Sequence, residues 1–404
     1  MILCFDDMTN VSQIIPVPEQ FSDIAPYSDL EFNQKLSHLV KEPGFEHAVK
    51  YAMSSGMDYP AYAAQLLQVH SQNEFQQKIM WPFLEMLAKR TTMGITIGGL
   101  DNIRTDCNYT FLTNHRDIVL DASFLNLNFL RNGLQTTEIA IGNNLLIYDW
   151  ITDLVKLNKS FIVKRDVRMI EALKAAKQLS GYIHFAVTQK KQSIWVAQRE
   201  GRAKDSNDLT QESLVKMLAL GGNGSVRENL QEINITPVSI SYELDPNDYL
   251  KAREFLMHRR NPEFRKSQRD DLFAMETGLM QQKGRVHFEV STPISGKLAE
   301  FGSEDKSEVV KYTCGLIDTA IHSGYHIFPS NYISYDEVNN CSRFKEMYSE
   351  KDMSDFDAYI NGQLDKVDAE IADITAEERT FMRVKMLEMY ANPLKNKLVA
   401  TRRR

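Results

Sequence analysis

The chain predicts an α/β fold: a mostly parallel central sheet flanked by helices, with an N-terminal all-α domain and a helical C-terminal extension. Three observations predict it. Seven short runs rich in β-branched and aromatic residues begin only after residue 93, and most are separated by stretches long enough for a helix. That alternation is the signature of βαβ units. Before it, residues 30–90 carry apolar side chains at helical spacing with no strand signal, and after Pro293 helical spacing returns.

A chain of 404 residues, 43% hydrophobic and 25% charged, suits two or three domains. The pattern divides it into a helical domain over 1–92, an α/β domain over 93–300 and a helical extension with a basic tail over 301–404. Residues 1–15 read as a loose lead-in. In the first domain, Pro60 opens a helix through 61–67, where its missing N–H costs nothing. Phe75, Ile79, Phe83 and Leu87 recur every four residues as one apolar stripe, which Pro82 is expected to kink. In the second, strands are expected at 94–99, 109–112, 137–141, 160–163, 193–197, 235–242 and 286–290. Helices are expected at 118–130, 145–157, 168–185, 210–220, 247–260 and 269–281. In the third, residues 350–378 carry ten acidic and two basic residues, whereas 379–404 carry eight basic and one acidic. Thr375 and Glu378 form a capping box that starts a helix. Its end is expected before Pro393.

Composition narrows the function classes. A net charge of −7 argues against a nucleic-acid binder. Cys4, Cys107, Cys314 and Cys341 show neither CxxC pairing nor metal-ligand spacing, and read as reduced thiols in a cytosolic protein. Residues 1–7 lack the basic region of a signal peptide. No window approaches the roughly 20 continuous apolar residues of a membrane span, so any membrane contact is expected to be peripheral.

The stretch from Asn114 to Asp121, Asn-His-Arg-Asp-Ile-Val-Leu-Asp, carries the strongest chemical signal. His115 follows an apolar strand, and two carboxylates follow within six residues, leading into a helix. A neutral imidazole is the usual proton acceptor near neutral pH, and works best with a carboxylate on its other nitrogen. Asp117 is also well placed simply to cap the helix. Further on, the strand 160–163 ends in Lys164 and Arg165, and the strand 193–197 runs into Gln198, Arg199, Glu200, Gly201, Arg202, Ala203 and Lys204. Cations at strand ends that share one sheet edge make a pocket for an anion such as phosphate. Singly, each cation is better explained as a solvated loop end. The strand 235–242 contains Pro237, which points to a strand start or sheet edge.

These four motifs, in this order, resemble the glycerophospholipid acyltransferase family. Its members show Asn-His-x4-Asp, then a Phe-Ile-x-Arg type motif, then Glu-Gly-x-Arg, then a Val/Ile-Pro strand. The resemblance is nearest to the branch that acylates glycerol 3-phosphate, and covers residues 93–295. Two departures stand out. Five residues separate His115 from Asp121 where the family has four, which puts Leu120 at the strict aspartate position. And Glu200-Gly201-Arg202 lacks the spacer before the arginine.

The resemblance implies transfer of a fatty acyl group from acyl-CoA or acyl carrier protein to glycerol 3-phosphate or lysophosphatidate, without metal or organic cofactor. His115 would be the general base, with Asp121, or else Asp117, as its partner. Arg116, Lys164, Arg165 and Arg202 would hold the phosphate, beside Glu200 and Gly201. Amides at the start of the helix near Ile118 would receive the oxyanion. Such an enzyme would sit on the inner face of the cell membrane, through the basic C-terminal helix from Arg379 and the final Arg402-Arg403-Arg404. The competing reading packs that helix against the acidic stretch before it. Three other readings remain open at this point: transfer to another lipid such as an aminolipid, a thioesterase that activates water, and a non-catalytic lipid-binding relative.

Overall fold

The computed structural model describes residues 15–53, 56–165 and 168–402. The expected lead-in before residue 15, Cys4, and the terminal Arg403 and Arg404 lie outside the described residues.

The seven expected strands form one sheet: β1 (Ile95–Gly98), β2 (Thr110–Thr113), β3 (Glu138–Gly142), β4 (Ser160–Val163), β5 (Ile194–Ala197), β6 (Ile235–Tyr242) and β7 (Val286–Val290), in the order β1-β7-β6-β2-β5-β3-β4. All pairings are parallel except β6 with β7. The strands β2 to β6 therefore run together, and β1 and β7 run against them. Every residue of β2 and β6 is buried, as expected of central strands covered on both faces. Alternation splits neighbours between two cores. Leu112, Ile194 and Phe161 pack with Ile235 and Ile317 on one face; Phe111, Trp195 and Phe288 pack with Phe124 and Phe129 on the other.

The N-terminal helices from Asp29–Leu39 to Trp81–Thr91 enclose a cluster of Phe32, Leu36, Phe45 and Phe75, sealed by Leu157 from the helix Asp149–Leu157. The helical backbone runs unbroken from Gln72 through a widened π turn over Phe75–Met80 into Trp81–Thr91, so Pro82 lies directly after that turn, where the regular hydrogen-bond ladder is already interrupted.

Three elements depart from expectation. Pro237 is the third residue of β6, which lies between β7 and β2 and not at the sheet edge. The helix Val226–Glu232 was not anticipated. The C-terminal helix runs unbroken from Ala376 to Arg402 with Pro393 inside it. Burial explains its continuity: Met382, Met386, Leu387 and Tyr390 before the proline, and Leu394 and Ala400 after it, all pack inward. The Asn331 side chain also donates to the Tyr390 carbonyl at 2.8 Å. Tertiary contacts outweigh the local cost of an interior proline, about 3 kcal/mol. The helix's first cations face the acidic stretch: Arg379 pairs with Asp365 and Asp368, and Arg383 with Asp357 and Glu337. Among the described residues no helix is long and apolar enough to cross a membrane.

Candidate active site

Because β2, β3, β4 and β5 run in parallel, their C-terminal ends share one edge of the sheet, where open α/β folds gather their ligands. His115 leaves β2 there, Arg165 leaves β4, and Arg199 to Arg202 leave β5. Motifs far apart in sequence thus meet in one cleft of about 600 Å³.

The first corner is built on side chains that replace main-chain bonds. Asn114 donates from Nδ2 to the Ile240 carbonyl (2.9 Å) and accepts from its N–H at Oδ1 (2.8 Å). The β2–β6 ladder is completed by a side chain, and the backbone is released to turn away from the sheet. His115 Nδ1 then lies 2.9 Å from Asp121 Oδ2. With Nδ1–H donating to that carboxylate, Nε2 is the basic nitrogen. The His115 side chain is 13% exposed and Asp121 is fully buried. Asp121 Oδ2 also accepts from the amides of Arg116 (2.7 Å) and Asp117 (3.1 Å), which fixes the carboxylate before the imidazole reaches it. The indole of Trp195 meets the imidazole edge-on at 5.9 Å between ring centroids.

Asp117 takes the other part. Its Oδ1 accepts from the amides of Val119 (2.9 Å) and Leu120 (2.7 Å), capping the helix Leu120–Arg131, and its Oδ2 accepts from Asn247 (3.1 Å). Burial, and then the charge of Asp121, push its carboxyl above the usual range, against the Leu120 amide and Arg202. The helix Gln268–Met280 lies against it so closely that a Cβ on Gly278 would meet Asp117 Oδ2 at 2.0 Å. The extra residue between His115 and Asp121 is thus absorbed in the corner. Of the amides near Ile118 expected to receive an oxyanion, those of Arg116, Asp117, Val119 and Leu120 are engaged by carboxylates, whereas Ile118 itself lines the cleft.

The expected anion-holding cations divide. Arg165 and Arg202 line the cleft, and Arg202 Nη1 is buried without a hydrogen-bond partner. Arg165 Nε is 3.8 Å from Glu200, whose carboxylate is 68% exposed. Gly201 turns the chain with φ +67°, a region that disfavours side chains. Lys164 lines the cleft, but its ammonium is held by Asp23 and Gln178. Arg116 does not join the substrate-facing group. Its guanidinium points away from the cleft into a buried ion pair, with Nη2 2.6 Å from Asp208. Burial works against that charge, but Asp208, Tyr325 and Asp245 hold it well above its ordinary range.

The rest of the cleft lining is largely apolar, with Ala140, Ala172, Ala175 and Ala176 beside larger side chains such as Phe161, Leu179 and Met217. Among the described residues no three His, Cys, Asp or Glu side chains are grouped to hold a metal ion.

No family model matches this chain, and no curated protein does. Among solved structures, it is similar to the crystal structure of the 1-acyl-sn-glycerophosphate (LPA) acyltransferase PlsC from Thermotoga maritima. The identity is 16%, the TM-score 0.36, and the match covers 72% of this chain and 92% of that one. A likeness so slight assigns no activity.

Several residues at this site were not singled out from sequence, Arg199 having been read only as one of the cations leaving its strand. Arg199 lines the cleft with its Nε buried and unpartnered. Its signal was present, a cation directly at the exit of β5 beside Glu200. Tyr242 is buried close to the paired aspartates, where burial and then the charges of Asp121 and Asp117 keep its phenol protonated. Nothing local to Trp195, Asn114 or Tyr242 announces a place at this corner.

Proposed function

We propose that the protein is an O-acyltransferase that moves a fatty acyl group from a thioester to a hydroxyl of glycerol 3-phosphate or 1-acylglycerol 3-phosphate. One observation carries the reading: a single cleft is lined by Arg165, Arg199 and Arg202, by His115 of the His115–Asp121 pair, and by many apolar side chains. A molecule with an anionic head, a reactive hydroxyl and a hydrocarbon tail, met by its acyl donor, finds a complementary group there for each part.

In this mechanism Arg165, Arg199 and Arg202 hold the phosphate and bring the acceptor hydroxyl to His115 Nε2. The imidazole removes the hydroxyl proton as the oxygen attacks the thioester carbonyl. Asp121 fixes the tautomer and stabilises the imidazolium. Collapse of the tetrahedral intermediate expels the thiolate, which takes the proton back from Nε2, leaving ester and free thiol. General-base catalysis of this kind contributes about 10²–10⁴-fold. The acyl chain lies along the alanine-rich wall. The acyl donor, acyl-CoA or an acyl carrier protein, arrives from the cytosolic side of a membrane surface that receives the product.

The test is direct. Purified wild type and His115→Ala are given glycerol 3-phosphate or its monoacyl ester with long-chain acyl thioesters, and the lipid formed is identified. Histidine-dependent ester formation supports the reading. Acyl groups delivered only to water would make the protein a thioesterase, and thioester binding without turnover would make it a lipid carrier.

A further inference from the structure

The cleft does not explain why a fully buried ion pair stands directly behind it. Arg116 adjoins His115 in sequence, and Asp208 lies at the far end of the loop that carries Arg199, Glu200, Gly201 and Arg202. The two side chains, 5% and 0% exposed, meet at 2.6 Å. The Tyr325 hydroxyl donates to the same Asp208 oxygen at 2.7 Å, and His322 Nε2 lies 2.6 Å from the Asp208 carbonyl. At its near end the loop is tied to β2 through Gln198 N–H, which donates to the Thr113 carbonyl at 2.8 Å. Between these ties, Lys204 pairs with Glu254, and the Asn392 side chain donates to the Asp205 carbonyl at 2.7 Å.

A buried pair of this kind is a poor source of stability. Desolvation consumes most of the attraction, and well-packed apolar residues of similar size are often as stabilising or more so. What such a pair does supply is a fixed distance and direction between two segments. Here the segments are the corner that aims the proposed base and the loop that carries two of the proposed phosphate anchors.

We infer that Arg116 and Asp208 are positioning residues, an internal strut that sets the distance from His115 to the guanidinium groups of Arg199 and Arg202. The inference rests on the acyltransferase reading above. It makes the strut responsible for bringing a phosphate-anchored hydroxyl within reach of the imidazole. Neither side chain touches substrate. Misplacement of the reacting groups by about 1 Å can cost on the order of 10²-fold in rate.

The deciding variant is the double substitution Arg116→Met with Asp208→Leu, which fills the buried space without charge. Its urea midpoint is expected to equal or exceed that of wild type. Its kcat with glycerol 3-phosphate is expected to fall about ten-fold or more while the KM for the acyl thioester stays within about two-fold. A stable double variant with wild-type kcat overturns the inference, because a purely structural pair predicts that outcome. Should the double variant not fold, Tyr325→Phe removes one bond from Asp208 and leaves both charges in place. A kcat lowered about three-fold at an unchanged thioester KM supports the strut, and an unchanged kcat overturns it. A wild type that forms no ester at all would overturn the acyltransferase reading and the strut together; ester formation by wild type with no loss in the variants overturns the strut alone.

Discussion

Asn114 and Ile240 exchange two hydrogen bonds, one in each direction, at the point where β2 stops. The side-chain amide stands in for the peptide group that the strand would otherwise have supplied. Asn114→Ala leaves a buried N–H and a buried carbonyl of Ile240 without partners, at a cost of about 2–4 kcal/mol. The expected result is a lower urea midpoint together with a large loss of kcat, since the same amide sets the angle at which His115 departs. An Asn114→Ala protein as stable as wild type would show that the ladder tolerates the gap.

The two aspartates of the corner are expected to separate cleanly on substitution. Asp121→Asn keeps the shape but gives the imidazole an amide instead of a carboxylate, and kcat is expected to fall on the order of 10²–10⁴-fold with little change in KM. Asp117→Asn keeps a competent helix cap, since asparagine serves that position as well as aspartate. Its kcat is expected within about three-fold of wild type. Steady-state kinetics on the two variants decides between them, and equal losses would contradict the division of labour.

The alanine-rich wall predicts a chain-length effect. Ala176→Phe places a ring in the apolar part of the cleft. Long-chain acyl thioesters are expected to lose about ten-fold or more in kcat/KM, whereas short-chain ones change little. Competition between two thioesters of different length, read by mass spectrometry of the lipid product, measures the ratio. An unchanged ratio would place the chain elsewhere.

Asp248 gives a pH dependence away from the cleft. Burial, and then the charge of Asp245, lift its carboxyl to about 6 from an ordinary 3.8, against the hydroxyls of Tyr390 and Tyr359, which donate to it. The folded chain therefore holds this proton more tightly than the unfolded chain. Its stabilising contribution is complete below about pH 4 and is lost as the pH rises through about 6. Urea midpoints of wild type measured against Asp248→Asn should fall over that interval, which cancels the other titrating groups. A wild type that gains on the variant as pH rises would reverse the sign and refute the assignment.

The sheet was legible because each strand announces itself locally. Phe161-Ile162-Val163 and Ile235 to Tyr242 are apolar, β-branched runs whose burial on both faces leaves no other period to read. The helix Val226–Glu232 escaped notice because it is short and mostly polar, although Ser225 and Glu228 carry a capping box that could have revealed it. The continuity past Pro393 depends on packing partners far away in sequence, which no local rule contains. The site shows the same division. His115 and its neighbouring carboxylates lie within seven consecutive residues and could be read together. The direction of Arg116 could not, because its partner Asp208 lies on a loop from another strand. The ion pair of Lys164 was illegible for the same reason: the residue lines the cleft as expected, but its partner Asp23 comes from the N-terminal segment.

The missing side chain at Gly278 has a reach well beyond its own helix. A methyl group there would press on Asp117, and Asp117 shares its turn with the residues that steady His115. In a random mutagenesis screen, Gly278→Ala should therefore score with the inactive alleles although nothing at that position faces the reaction, and second-site revertants should cluster where Asp117 and Asn247 meet.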